Sequence, residues 1–135
     1  MTSKKEATIY IVDDDADDQQ LLKEAILSAL PHSKIKCFFS GRQLLDHLKE
    51  PTAIMPTVDM VFLDINMPLM NGMQTLGAIR ELGLLKDVPF TVISTTYNES
   101  HQIAMINLGA KDCYTKTKSY PDLLALIEKA LSEYL

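Results

Sequence analysis

The chain has 135 residues, of which 47% are hydrophobic and 23% charged, with a net charge of −5 at pH 7. These values fit one globular domain with a single core and exclude a disordered chain. The acidic balance argues against direct binding of nucleic acid, and no apolar run approaches the ~20 residues needed to span a bilayer.

Met1 to Glu6 is polar and leads into strand-like residues without a signal-peptide cleavage pattern, so a cytoplasmic protein with no membrane partner is expected. Ala7 to Val12 is β-rich and closed by Asp13-Asp14-Asp15, which predicts a first strand ending in acids. Leu21, Leu22, Ala25, Ile26, Ala29 and Leu30 then form a helical stripe that Pro31 stops, with acids at its N-terminal end favoured by the helix dipole. A second short strand is expected at Ile35 to Phe39. Gly41 opens a helix carrying Leu44, Leu45 and Leu48, which ends before Pro51.

Val58 and Met60 to Leu63 form a nearly continuous apolar run, the pattern of a strand buried on both faces of a parallel sheet. It stops at Asp64 and breaks into a loop marked by Pro68 and Asn71-Gly72. A third helix from about Met73 to Gly83 has Leu76, Ile79 and Leu82 as its expected inner face. Phe90 to Ile93 predicts a fourth strand that runs into Ser94-Thr95-Thr96. A fourth helix near Ser100 to Leu108 stops at Gly109, and a fifth strand from Asp112 to Thr115 ends at Lys116. Pro121 suits the first turn of a last helix, with Leu123, Leu124, Ile127, Ala130 and Leu131 facing inward.

Five strand–helix alternations with short connections predict an α/β fold, one doubly wound (βα)5 domain over residues 1–135 with a five-stranded parallel sheet. Ligands bind such sheets at the carboxyl edge of the strands. Four of the five strands end there in a polar group: Asp13-Asp14, Asp64, Ser94 and Lys116. Singly these read as a helix cap, a turn former, a strand-end hydroxyl and a solvated lysine. Together they bring three carboxylates, a hydroxyl and an ammonium to one place. Two carboxylates 4 Å apart repel by ~4 kcal/mol at an effective dielectric near 20, so a cation is expected between them. All-oxygen ligands favour Mg²⁺ over zinc. The set suits phosphoryl transfer to aspartate: Asp64 as nucleophile, with Lys116 and the metal offsetting charge and Ser94 donating a hydrogen bond.

Four motifs stand in order: Val12-Asp13-Asp14-Asp15; Phe62-Leu63-Asp64-Ile65-Asn66-Met67-Pro68 with Gly72; Ile93-Ser94-Thr95; and Gly109-Ala110 leading to Lys116. On these the chain resembles a receiver domain of bacterial two-component response regulators, similar to the stand-alone chemotaxis-regulator type, from about Ala7 to Leu135. The resemblance implies a flavodoxin-like sheet of strand order 2-1-3-4-5. It implies that Asp64 accepts phosphate from a sensor histidine kinase or phosphotransfer protein. Asp14, Asp64 and the Asn66 backbone carbonyl would hold Mg²⁺, Asp13 would act through water, Ser94 would be the switch hydroxyl and Lys116 would contact the phosphoryl group. Such a domain catalyses only its own phosphorylation and dephosphorylation. With no output domain expected after Leu135, signalling falls to a downstream effector protein, docking on the face from the fourth to the fifth helix. Ile103, Met105, Ile106 and Leu108 of the fourth helix spread over more than one face, as an interface requires.

Two positions depart from the family pattern. Thr117 follows Lys116 where proline, often behind a cis bond, is usual. Cys113 stands where a switch aromatic is usual, and Tyr114, one residue later, is expected on the opposite side of the strand. Two rival functions are weaker. A haloacid-dehalogenase-type phosphatase would need an acid two residues after the nucleophile, where Asn66 stands. A flavodoxin-like nucleotide or flavin binder lacks a glycine-rich loop after the first strand. Asp15, Asp17 and Asp18 are expected only to cap and solvate the first helix. His32, His47 and His101 are expected at the surface, and Cys37 and Cys113 as reduced thiols.

Overall fold

A computed structural model describes residues 6–50 and 57–135; Pro51 and the first five residues lie outside them. The chain alternates β1 (Thr8–Val12), α1 (Ala16–Ala29), β2 (Lys34–Phe38), α2 (Gly41–Leu48), β3 (Met60–Asp64), α3 (Gly72–Glu81), β4 (Phe90–Ser94), α4 (Glu99–Asn107), β5 (Asp112–Thr115) and α5 (Tyr120–Tyr134). The strands form one parallel sheet in the order β2-β1-β3-β4-β5, as expected.

Every residue of β3 and β4 is buried. Their alternating side chains feed two cores on opposite faces of the sheet. Tyr10, Val12, Val61, Leu63, Phe90 and Val92 pack with α2, α3 and α4 through Leu44, Leu76, Ile79 and Met105. Ile9, Ile11, Met60, Phe62 and Ile93 pack with α1 and α5 through Leu22, Ile26, Ile127 and Leu131. Burying each of these large side chains contributes about 1.5–3 kcal/mol. Polar caps start the helices where the chain leaves the carboxyl edge. Asp15, Ser40, Asn71, Asn98 and Ser119 each accept an amide from the first turn, and Asn71 forms a reciprocal capping box with Gln74.

The inner face of α3 differs from the expected one. Leu76 and Ile79 are buried, but Leu82 is 51% exposed. The helix ends at Leu82 in a Schellman arrangement: Gly83, at φ +68°, donates to the Arg80 carbonyl and Leu84 donates to that of Ile79. The chain reverses there, and Leu84 packs on the core in place of Leu82. Leu21, assigned to the α1 stripe, is 44% exposed because it lies at the margin of the helix facing the cleft beside Asp64. His47 is half-buried. It pairs with the Tyr10 hydroxyl at 3.1 Å and packs edge-on against Tyr10, while Phe38 lies beside it.

Gly109, at φ +97°, ends α4 by the same Schellman pattern. Arg80 of α3 reaches across to this end. Its Nε donates to the Leu108 carbonyl at 2.9 Å, Nη2 to that of Gly109 at 3.4 Å and Nη1 to that of Leu85 at 3.3 Å. The guanidinium also lies over the Phe90 ring. Among the described residues no peptide bond is cis, the Lys116–Thr117 bond included, both cysteines are free thiols, and no helix is long and apolar enough to cross a membrane.

Candidate phosphoacceptor site

Parallel strands all point their carboxyl ends one way, so the residues that end β1, β3, β4 and β5 meet at one edge. Asp64, the last residue of β3, and Asp13, just beyond β1, are each only 4% exposed. Asp14 beside them is exposed. One carboxylate oxygen from each of Asp13, Asp14 and Asp64 lies within 4.8 Å of the others. Lys116, half-buried after β5, places Nζ 3.0 Å from Asp13 Oδ2 and 3.7 Å from Asp64 Oδ2. The Lys116 backbone amide donates to the Ser94 carbonyl, which anchors its chain beside β4.

Close packing holds Asp64 in place. A Cβ on Gly72 would sit 2.6 Å from the Asp64 carbonyl oxygen and 2.8 Å from Ile65 Cα, so only glycine lets α3 start this close to the end of β3. Asp64 Oδ1 accepts the Asn66 amide at 3.2 Å.

The electrostatics of the three acids follow from burial and crowding. Burial, then the neighbouring Asp13 charge, pushes the Asp64 carboxyl up to about 7, against the opposing pull of Lys116. Burial also raises Asp13, against the pull of the Asp15 amide and Lys116. Burial works to lower the Lys116 ammonium, but hydrogen bonds to Asp18 and Asp13 and the charges of Asp13 and Asp64 outweigh it and raise its value. One lysine does not balance this many acids. The clustered donors are carboxylate oxygens with negative charge to spare, which fit a hard divalent cation.

Ser94 is 9% exposed, and its hydroxyl is engaged by groups other than Asp64. Ser94 Oγ lies 2.7 Å from the Thr96 carbonyl and 3.1 Å from Asn66 Oδ1, either of which its single proton can reach. Two residues join the site that their sequence positions did not single out. Asp18, expected only to solvate α1, meets Lys116 Nζ at 2.7 Å. Gln19, buried, donates through Nε2 to the carbonyls of Asp13 and Phe38, both at 2.7 Å, tying the β1 end to the β2 end. The acidic run gave no signal for the first, since every one of its acids fits a helix N-terminus equally well.

A family model for the response regulator receiver domain matches residues 9–128. The chain belongs to this family. It is 25% identical to response regulator Rcp1 of Synechocystis over 129 residues, covering 94% of this chain and 88% of that protein. The receiver fold is shared with the phosphorylated cyanobacterial phytochrome response regulator RcpA, at TM-score 0.84 and 25% identity over 96% of this chain and 94% of that one. It is shared with the Mn²⁺-bound form of Rcp1 at TM-score 0.82 and 24% identity, again over 96% and 94%. Against other curated relatives, such as CpxR of Escherichia coli, the receiver spans about half their length, 48% in that case.

Proposed function

We propose that this receiver takes a phosphoryl group onto Asp64 from a histidine kinase or phosphotransfer protein, in a Mg²⁺-dependent reaction, and signals by altered binding of a downstream protein. The observation that carries this reading is the convergence of Asp13, Asp14, Asp64 and Lys116 on one edge of the sheet. Asp14, Asp64 and the Asn66 carbonyl would hold the metal, with Asp13 acting through water. When bound, Mg²⁺ would neutralise the crowded acids and draw charge from the phosphoryl oxygens.

Asp64 reacts as the carboxylate. One of its oxygens bonds to phosphorus as the bond from phosphorus to the donor imidazole nitrogen breaks, and the bonding pair leaves with that nitrogen. Lys116, already 3.7 Å from Asp64 Oδ2, pairs with a phosphoryl oxygen as charge gathers there. Ser94 donates to another once its hydroxyl turns from its present partners. Water later hydrolyses the acyl phosphate, and the chain turns over no other substrate.

Output would leave through the face from α4 to α5. Of the residues of α4 only Met105 is buried, while Ile103 and Ile106 are 54% and 48% exposed and Tyr97, just before the helix, is 63% exposed. Incubation with acetyl phosphate and Mg²⁺ should raise the intact mass by one phosphoryl group in the wild type and leave Asp64→Asn unchanged. Equal labelling of both would overturn the assignment.

A further inference from the structure

The side chain of Asn66 carries a role that its expected backbone contact to metal does not include. Asn66 Oδ1 lies 2.8 Å from Thr95 Oγ1, 3.2 Å from the Thr95 amide and 3.1 Å from Ser94 Oγ. One carbonyl oxygen on the β3–α3 loop thus faces three donor groups at the end of β4 and the start of the β4–α4 loop. The Ser94 hydroxyl is held between this oxygen and the Thr96 carbonyl, and the Thr96 amide closes back on Ser94 Oγ at 3.4 Å. Neither partner of Ser94 is Asp64.

We propose that the Asn66 side chain is a latch that positions Ser94 in the unphosphorylated state, by holding Thr95 so that the Ser94 hydroxyl points away from the phosphorylation site. The inference rests on Asp64 being the phosphoacceptor. The geometry requires an exchange: Ser94 cannot donate to a phosphoryl oxygen on Asp64 while its one proton is committed to Asn66 or Thr96. The Ser94 hydroxyl must therefore leave Asn66 Oδ1 and the Thr96 carbonyl to swing inward. The bonds of the latch favour the resting arrangement, so loosening them shifts the population toward the arrangement that binds phosphate.

Thr95 makes this separable from any direct effect of Asn66. Its side chain is exposed, and its shortest contact is the 2.8 Å bond to Asn66. Asn66→Ala removes the acceptor while keeping the backbone carbonyl, and Thr95→Val removes the strongest donor from the other side. Thr95→Val should tighten binding of beryllofluoride with Mg²⁺, measured by calorimetry, by about threefold to tenfold, as expected for loss of one net hydrogen bond, and Asn66→Ala, which removes the shared acceptor, by at least as much. The double variant should gain less than the product of the two, because both cut the same bond. In metal-free spectra, the amide signals of Ser94 to Thr96 should move in both variants toward their wild-type beryllofluoride positions.

The latch is overturned if wild type labels on Asp64 yet neither variant changes beryllofluoride affinity. It is also overturned if Asn66→Ala changes it and Thr95→Val does not, since Asn66 then acts in the site directly. Failure of the underlying assignment looks different: Asp64→Asn would label like the wild type.

Discussion

Lys116 Nζ lies 2.7 Å from Asp18 Oδ2, a shorter contact than it makes with Asp13 or Asp64. The ammonium expected to serve the phosphoryl group is shared with a carboxylate on the first turn of α1. Replacing that carboxylate by an amide removes the strongest competitor for Lys116. Asp18→Asn should therefore speed labelling by acetyl phosphate by roughly twofold, while costing under about 1 kcal/mol of stability, because the Asp18 side chain is partly exposed. Time courses of intact mass for the two proteins check this; a slower variant would mean that Asp18 orients the lysine instead of withholding it.

The raised Asp64 carboxyl makes stability depend on pH in a defined direction. In the unfolded chain this group loses its proton near 3.8, but in the native, metal-free protein only near 7. Between those values the native state binds more protons than the unfolded state, so stability falls as pH rises from about 4 to about 7. Asp64→Asn lacks the titration. In a metal chelator it should be more stable than the wild type by roughly 4 kcal/mol at pH 8, with the gain shrinking toward zero by pH 4. Urea unfolding of both proteins across this range provides the measurement, and a constant difference at all pH values would contradict the assignment of the charge to Asp64.

Neighbouring aspartates of the acidic run should separate by function. Asp14 contributes an oxygen to the three-carboxylate group, whereas the Asp15 side chain accepts the Asp18 amide at 3.0 Å as the N-cap of α1. Asp14→Ala should weaken Mg²⁺ binding at least tenfold with little loss of stability. Asp15→Ala should cost about 1 kcal/mol, as lost N-caps do, with metal affinity nearly intact. Metal titration and thermal melts on the same samples distinguish the two; equal losses of affinity would mean that Asp15 also reaches the ion.

Strand β5 directs Cys113 and Tyr114 to opposite faces. Cys113 packs against the core under α4, and Tyr114 against the core under α5, where Lys129 lies over its ring. Inward rotation of an aromatic beside Ser94 is therefore not available from the position that Cys113 occupies. The Tyr114 ring signals should keep their shifts when beryllofluoride and Mg²⁺ are added, while those of the β4–α4 loop move. A large Tyr114 shift would show that the ring follows Ser94 after all.

These relationships differ in how far a single chain discloses them. β3 was readable because a strand buried on both faces has few polar residues, and its one acid then stands out at the end. The order of strand-end groups followed from the same reasoning. Leu82 reads as an inward-facing residue because helical periodicity continues on paper past the point where Gly83 reverses the backbone. His47 reads as a surface residue until β1 brings Tyr10 beneath it. The roles of Asp18 and the Asn66 side chain depend on contacts spanning 98 and 28–29 residues of sequence, and neither leaves a local pattern.

The Arg80 bonds give α4 a fulcrum. Its last carbonyls are tied to α3, and moving that end sideways would strip the guanidinium of acceptors at Leu108 and Gly109 together. The opposite end follows directly on the Ser94–Thr96 loop. Nine residues of helix make an arm of about 13 Å, so a loop displacement of about 2 Å at Asn98 would tilt it by roughly 9°. Travel then grows with distance from Gly109. A partner resting near Tyr97 would feel nearly the whole stroke, and one gripping Ile106 almost none of it.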